Sequence, residues 1–182
     1  MSLTLMVIRH AEKPGEAWPG PGLTEAGETD PKSLVIRGWE RAGAWAALFG
    51  SGLGGEDYPT PGALFAARPE GSASRRAADT LQPLAARLGA RLDLSFAQGD
   101  ENGLMDKVLS LSGVVLVSWE HKRIGEGILP RIPVPPGVVP PVGWPADRYD
   151  PVLRFDRPVG ADCFTFRQLC PRLLSGDSER WF

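Results

Sequence analysis

Two histidines and two arginines lie where they could act on an anionic substrate. The chain has only two histidines, His10 in VIRHAEKP and His121 at the end of GVVLVSWEH. Arg9 directly precedes His10, and Arg76 lies in SASRRAADT, shortly after the apolar run ALFAA. Guanidinium groups bind phosphoryl oxygens through paired hydrogen bonds, and an imidazole, with an ordinary pKa of about 6.5, can be a neutral nucleophile. These four side chains therefore indicate chemistry on a phosphoryl group.

Each residue type has a part in such chemistry. One imidazole would attack phosphorus, and the other would donate hydrogen bonds to the phosphoryl oxygens as the transition state forms. Arg9 and Arg76 would bind and orient the charged oxygens. A carboxylic acid would protonate the leaving alcohol, which typically accelerates a reaction by about 10²–10⁴-fold. Arg75 and Arg76 also begin a predicted helix, where cations oppose the helix dipole unless an anion binds between them.

Strands and helices must bring these residues together. The apolar run LTLMVI at residues 3–8 predicts a strand that is covered on both faces, as in a parallel sheet. The other strands are predicted in ALFA at 63–66, RLDLSF, GVVLVSWEH, VLRFD and CFTFRQL. Helices are predicted over 36–50 with Gly50 as the C-cap, from an N-cap at Ser72 or Ser74 to Gly89, and over about 102–110.

Strands that alternate with helices predict an α/β fold. We expect a three-layer α/β/α sandwich, with a largely parallel central sheet and helices on both faces, in a single domain over residues 1–182. Ligands of such sheets bind beyond the carboxyl ends of the strands. The histidines and arginines should therefore meet in one crevice.

The segment from 130 to 151 is rich in proline, with eight prolines that include two Pro-Pro pairs. It should be neither a helix nor a central strand, because proline lacks the N–H and fixes φ. We expect an ordered, extended excursion anchored by apolar residues, among them Ile132, Val139 and Trp144. It could form part of the pocket wall or an interface.

Three motifs in order resemble the histidine phosphatase superfamily, which includes phosphoglycerate mutases and acid phosphatases. The superfamily's first strand ends on an Arg-His pair, as Arg9 and His10 do here. Its second arginine follows a Ser-x-x-x-Arg-x-x-x-Thr pattern, which Ser72, Arg76 and Thr80 match. Its second histidine ends a late buried strand, and the resemblance, over about residues 3–123, gives that position to the remaining histidine of this chain.

The resemblance implies hydrolysis of phosphomonoesters through a phosphohistidine on His10, with no metal and no cofactor. Arg9, Arg76 and His121 would bind the phosphoryl oxygens. Members of this type place an acidic group after the third strand, which favours Glu101 or its neighbour as the proton donor. The carboxylates that could act as the acid are Glu101, Asp100, Glu12 and Glu120.

Two other functions stay open at this point. A mutase or phosphotransferase would return the phosphoryl group to the substrate, but mutase-type members carry Arg-His-Gly and a downstream Asn, whereas Ala11 follows His10 here and the Asn is missing. A non-catalytic protein that binds phosphate or a phosphorylated ligand would keep the anion pocket without an effective acid.

Composition limits the partners. Charged residues make up 23% of the chain and the formal net charge is −2, so we expect neither nucleic acid nor a membrane as a partner, but a small phosphorylated substrate. The N-terminal apolar run is too short for a signal peptide, and two cysteines without metal-ligand spacing suit a reducing compartment. The sequence therefore predicts a cytoplasmic protein, and leaves its state open between a monomer and a homodimer.

Overall fold

A computed structural model describes residues 1–15, 17–71 and 73–182. Its strands are β1 Leu3–Arg9, β2 Ala63–Ala66, β3 Leu92–Asp93, β4 Gly113–Trp119, β5 Val152–Arg157 and β6 Thr165–Leu169. Its helices are α1 Ile36–Gly50, α2 Arg76–Leu88, α3 Glu101–Leu109 and the short α4 His121–Arg123. A π-helical turn at Ile124–Ile128 and a 3₁₀ turn at Leu129–Arg131 continue α4.

The six strands form one mixed sheet in the order β3-β2-β4-β1-β5-β6. The first four strands along the chain are parallel, and β5 and β6 add an antiparallel edge next to β1. In the register of β1 and β4, Arg9 lies opposite Trp119. The N–H of His10 donates to the carbonyl of Trp119 at 3.0 Å, which extends the ladder by one residue. The two strands that carry the histidines are thus neighbours and end together.

Helices cover both faces of the sheet, so the predicted α/β fold is confirmed. The connections from β1 to β2 and from β2 to β3 run one way along the sheet, and that from β3 to β4 runs back. Because such crossovers are right-handed, α1 and α2 lie on one face and α3 on the other. In agreement, α1 packs against α2, and α3 packs against the π-helical turn. The largest fully buried apolar side chains are Trp45, Trp119, Phe49, Phe155 and Phe164.

One glycine allows α1 to approach the residues that follow β1. A Cβ at Gly38 would lie 2.4 Å from the carbonyl oxygen of Glu12, which is far inside van der Waals contact. The N–H of Val35 also donates to that carbonyl at 3.2 Å. The start of α1 is therefore packed directly on the backbone two residues after His10, and a larger side chain at Gly38 would push it away.

The helix ends differ in part from the prediction. Gly89 ends α2 in the left-handed conformation, with φ at 59°, as predicted. Ser74 is not the N-cap: Arg75 holds that position without a side-chain cap, and Ser74 Oγ accepts from the N–H of Arg76 at 3.2 Å. Ser72, the alternative cap and a part of the predicted motif, lies outside the described residues. Gly50 is the last residue of α1 and not its cap.

The Pro-rich segment contains no strand, and it enters helical structure only at its first residues. Ile132 and Trp144 are buried, as expected of anchors. The expectation for Val139 is wrong, since its side chain is 78% exposed. Tyr149 is a buried anchor that the sequence did not predict. Within residues 1–15, 17–71 and 73–182, no helix combines the length and the apolar character that crossing a membrane requires.

Candidate functional site

His10 is a buried imidazole at the carboxyl end of β1. Its side chain Nδ1 lies 2.8 Å from the carbonyl oxygen of Ala11. Because a carbonyl oxygen can only accept, Nδ1 carries the proton and Nε2 keeps its lone pair. Burial, and then the charge of Arg9 with smaller contributions from Arg76 and His121, lowers the pKa of His10 to about 3. The ring is therefore neutral at physiological pH, with one nitrogen ready to attack.

Thr80 fixes the peptide on which His10 is held. The N–H of Ala11 donates to Thr80 Oγ1 at 2.8 Å, and that hydroxyl donates to the carbonyl oxygen of Arg76 at 2.7 Å. All of these groups apart from the Arg76 backbone are fully buried or nearly so. The threonine thus ties the first turn of α2 to the peptide that joins His10 to Ala11 at the end of β1.

Arg9 is completely buried and its guanidinium is held by backbone. Nη1 donates to the carbonyl oxygens of Ala146 at 2.7 Å, Arg148 at 3.1 Å and Pro145 at 3.2 Å. Nη2 donates to the hydroxyl of Tyr149 at 3.1 Å. Nε is also buried, but within the described part of the chain it has no hydrogen-bond acceptor. One edge of the group is therefore anchored, and the edge formed by Nε and Nη2 is left with a single acceptor.

Arg76 is the first residue of α2 and is half-buried. Its Nε donates to the carbonyl oxygen of Ser33 at 3.1 Å, and Nη2 donates to that of Pro31 at 2.6 Å. Burial lowers the pKa of Arg76, but a guanidinium stays protonated in proteins. The neighbouring Arg75 points elsewhere, since it pairs with Asp79 at 3.1 Å and with Asp30 at 3.7 Å. Of the two arginines, Arg76 is the one whose charge contributes to the low pKa of His10.

His121 begins α4 beside a carboxylate. Its Nδ1 lies 2.7 Å from Glu120 Oε1, although the orientation does not satisfy hydrogen-bond geometry, so the contact is electrostatic. The other oxygen of Glu120 accepts from the N–H of Arg123 at 3.1 Å and caps the short helix. Burial and the charge of Arg9 lower the pKa of His121, and Glu120 opposes this effect. The charge of Arg9 thus lowers the pKa of both histidines.

Glu101 and Asp100, which the sequence suggests as the acid, form hydrogen bonds at the start of α3. Glu101 Oε1 accepts from Trp119 Nε1 at 2.9 Å and from the N–H of Gly99 at 3.0 Å. Asp100 is exposed and caps α3 by accepting from the N–H of Gly103 at 3.2 Å. Both carboxylates therefore hold the start of α3, and Glu101 ties it to β4.

Glu12 is also committed to structure. Its buried carboxylate accepts from Nε and Nη2 of Arg41 at distances from 2.7 to 3.0 Å. Arg41 reaches on to Asp177 near the C-terminus, with both contacts at 3.0 Å or less. These hydrogen bonds, which outweigh the burial of the group, raise the pKa of Arg41 above its ordinary value. An acid must exchange a proton with substrate, and an oxygen pair saturated by a guanidinium is unsuited to that task.

Comparisons with known proteins identify no family for this chain. No family matches its sequence, and no curated protein does so. Four chains of solved structures match it. One of them, titled "Mycobacterial hydrolase 2", is 15% identical, with 92% of this chain and 89% of that chain covered and a TM-score of 0.48. Similarity at this level does not extend to activity, so the chemistry of the site rests on its own residues.

The described residues do not form a metal cluster. No group of three or more His, Cys, Asp or Glu side chains in residues 1–15, 17–71 and 73–182 is arranged to hold an ion. The ligands available to an anion are instead the guanidiniums of Arg9 and Arg76 and the imidazole of His121. Side chains of these types are suited to binding an oxyanion.

Burial of neutral His10 makes the stability of the protein sensitive to acid. In the unfolded chain His10 binds a proton near pH 6.5, whereas in the fold it stays neutral down to about pH 3. The unfolded state therefore binds more protons between these values, and stability falls as the pH is lowered from 6.5 toward 3. We expect His10 alone to remove about 2 kcal/mol between pH 7 and pH 5. Urea unfolding of wild type and of His10→Asn across this range measures it, and parallel pH profiles would contradict the assignment.

Proposed function

We propose that this protein hydrolyses phosphomonoesters without a metal, through a phosphohistidine formed on Nε2 of His10. The observation that carries the proposal is the buried Nε of Arg9, which has no acceptor in the described part of the chain. An unsatisfied buried donor costs about 1–3 kcal/mol, and such a group in a native fold calls for an explanation. A phosphoryl oxygen bound along the Nε and Nη2 edge would satisfy it, at a position next to a neutral imidazole.

The first step transfers the phosphoryl group to the enzyme. Nε2 of His10 attacks phosphorus, the N–P bond forms, and the bond from phosphorus to the ester oxygen breaks. Arg9, Arg76 and His121 stabilise the charge on the phosphoryl oxygens during this transfer. The anchored guanidinium of Arg9 needs no reorganisation, because three backbone carbonyls already hold it in place.

Glu120 is our candidate for the acid, since it is the predicted carboxylate that adjoins His121. Glu120 would give a proton to the leaving oxygen as the ester bond breaks. In the second step Glu120 would take a proton from water, the water oxygen would bond to phosphorus, and the N–P bond would break. This releases inorganic phosphate and returns His10 to its neutral state.

An acid role for Glu120 predicts a dependence on the leaving group. Glu120→Gln cannot give up a proton, so release of an alkoxide should slow by about 10²–10³-fold. Release of a nitrophenolate needs little protonation and should slow less than tenfold. Rates of phosphate release from an alkyl phosphate and from 4-nitrophenyl phosphate compare the two, with Glu126→Gln as a control on an exposed neighbouring carboxylate. Equal losses on both substrates would contradict the assignment.

The experiment that tests the function uses wild-type protein in excess chelator. We expect continuous phosphate release from 4-nitrophenyl phosphate and, after rapid quenching with base, a phosphoenzyme that is stable in alkali and labile in acid. Activity that disappears with chelator would contradict the metal-free mechanism. Tight binding of phosphate without turnover would instead favour a protein that binds a phosphorylated ligand.

A further inference from the structure

Tyr149 belongs to the Pro-rich segment and lies next to Arg9 of the candidate site. It lies three residues before β5 and its side chain is only 5% exposed. The preceding residues supply the three carbonyl oxygens that hold Arg9 Nη1. Arg148 fixes this stretch through a bidentate pair with the buried Asp150, with distances of 2.8 and 3.0 Å. The position of Tyr149 is therefore fixed by the hydrogen bonds of the residues around it.

Its ring and its hydroxyl both contact Arg9. The centre of the guanidinium lies 3.8 Å from the ring centroid, which is close stacking. The hydroxyl accepts from Arg9 Nη2 at 3.1 Å. The ring centroid is 6.2 Å from that of His10, with an angle of 57° between the planes. One aromatic side chain thus touches the guanidinium and faces the nucleophile.

The hydroxyl of Tyr149 can still donate a hydrogen bond. It accepts from Arg9, and no acceptor for its own proton lies among the described residues. Burial raises the pKa of Tyr149 above its ordinary value of 10, so the phenol keeps its proton at neutral pH. Tyr149 is also the neighbour that, after burial, most affects the pKa of Arg76. The hydroxyl therefore contacts the guanidinium of Arg9 and remains a hydrogen-bond donor.

We propose that Tyr149 is a further catalytic residue, whose hydroxyl donates a hydrogen bond to a phosphoryl oxygen bound between Arg9 and Arg76. The proposal rests on the proposed function. The phenol accepts from one guanidinium and donates to the oxyanion, so it relays polarisation from Arg9 to the substrate. Its ring keeps the guanidinium in the plane that presents Nε. The Pro-rich segment then has a catalytic purpose, which is to close the phosphate site from the side of β5.

The test compares Tyr149→Phe with Tyr58→Phe. Phenylalanine keeps the ring on Arg9 and removes only the hydroxyl. Tyr58 is the other tyrosine of the chain, is partly buried against Phe49, and has no contact with the site residues in the described structure. We expect Tyr149→Phe to bind inorganic phosphate about tenfold more weakly in calorimetry and to lower kcat/KM for 4-nitrophenyl phosphate by about 10- to 100-fold. Tyr58→Phe should leave both unchanged.

The two measurements separate this proposal from the proposed function. If wild type binds phosphate but releases none from 4-nitrophenyl phosphate, the hydrolase is wrong, while weaker binding by Tyr149→Phe still supports the hydrogen bond. If Tyr149→Phe binds phosphate and turns over as Tyr58→Phe does, the role of the hydroxyl is overturned. Absence of both phosphate binding and phosphate release in wild type would overturn both proposals. Urea unfolding of each variant confirms that the comparison is between folded proteins.

Discussion

Replacing His10 by asparagine should abolish phosphate release, with a fall in kcat of at least about a thousandfold. Asparagine can still donate an N–H to the carbonyl of Ala11, as His10 Nδ1 does at 2.8 Å. It has no basic nitrogen where Nε2 lies, so no N–P bond can form. Initial rates with 4-nitrophenyl phosphate measure the loss, and the phosphoenzyme trapped with ³²P-labelled substrate should be absent. The expected effect is larger than that of any other site substitution because the step has no alternative nucleophile.

His121→Asn is the matched control, since the chain has only these two histidines. We assign His121 to the phosphoryl oxygens, so this variant should lose about 10²–10³-fold in kcat but still form the phosphoenzyme. A phosphoenzyme that persists in His10→Asn and is lost in His121→Asn would reverse the two roles. Either variant alone would leave the nucleophile ambiguous, and the pair identifies it.

The sequence predicts the sheet well because strands that are buried on both faces appear in it as apolar runs. A strand covered on two sides must be apolar, as residues 5–8 of β1 and 115–117 of β4 are. The positions of Arg9, His10 and His121 follow, since each ends such a run and neighbouring parallel strands end together. The strand predicted in RLDLSF is longer than the observed β3. The composition of the segment is typical of a strand, but only Leu92–Asp93 pairs with β2.

The partners of the charged side chains could not be predicted in the same way. Glu12 and Glu101 lie in suitable places along the chain, but their acceptors are used by Arg41 and by the indole of Trp119. Those contacts depend on how helices pack on the sheet, which no local pattern records. The contact of Tyr149 with Arg9 could not be predicted either, because Tyr149 lies in an irregular Pro-rich segment whose path is fixed by tertiary contacts. The sequence alone therefore could not select the acid, because Glu12 and Glu120 both lie within two residues of a histidine and only their contacts distinguish them.

The ion pairs of Glu12 predict the largest loss of stability. Glu12 and Arg41 are almost completely buried, and Asp177 is the second partner of the same guanidinium. Glu12→Gln removes one of two compensating charges and leaves Arg41 buried with the other, so we expect the free energy of unfolding to fall by about 3 kcal/mol. Urea unfolding at pH 7 measures this change. Glu40→Gln is the control on the same helix as Arg41: Glu40 is 56% exposed and its nearest cation, Arg37, is 4.0 Å away, so the expected loss is under about 0.5 kcal/mol.

The same variant distinguishes structure from chemistry at Glu12. If Glu12 only holds Arg41, Glu12→Gln should keep its turnover per folded molecule within a few-fold of wild type at a temperature well below its unfolding midpoint. A stable Glu12→Gln protein with a rate reduced by 10² or more would mean the opposite, namely that Glu12 is the acid and Glu120 is not. The buried position of Glu12, with its carboxylate bound by Arg41 on one edge and its backbone packed on Gly38, favours the first outcome. Glu12 would then act on catalysis only through the backbone, because it fixes the chain two residues beyond His10.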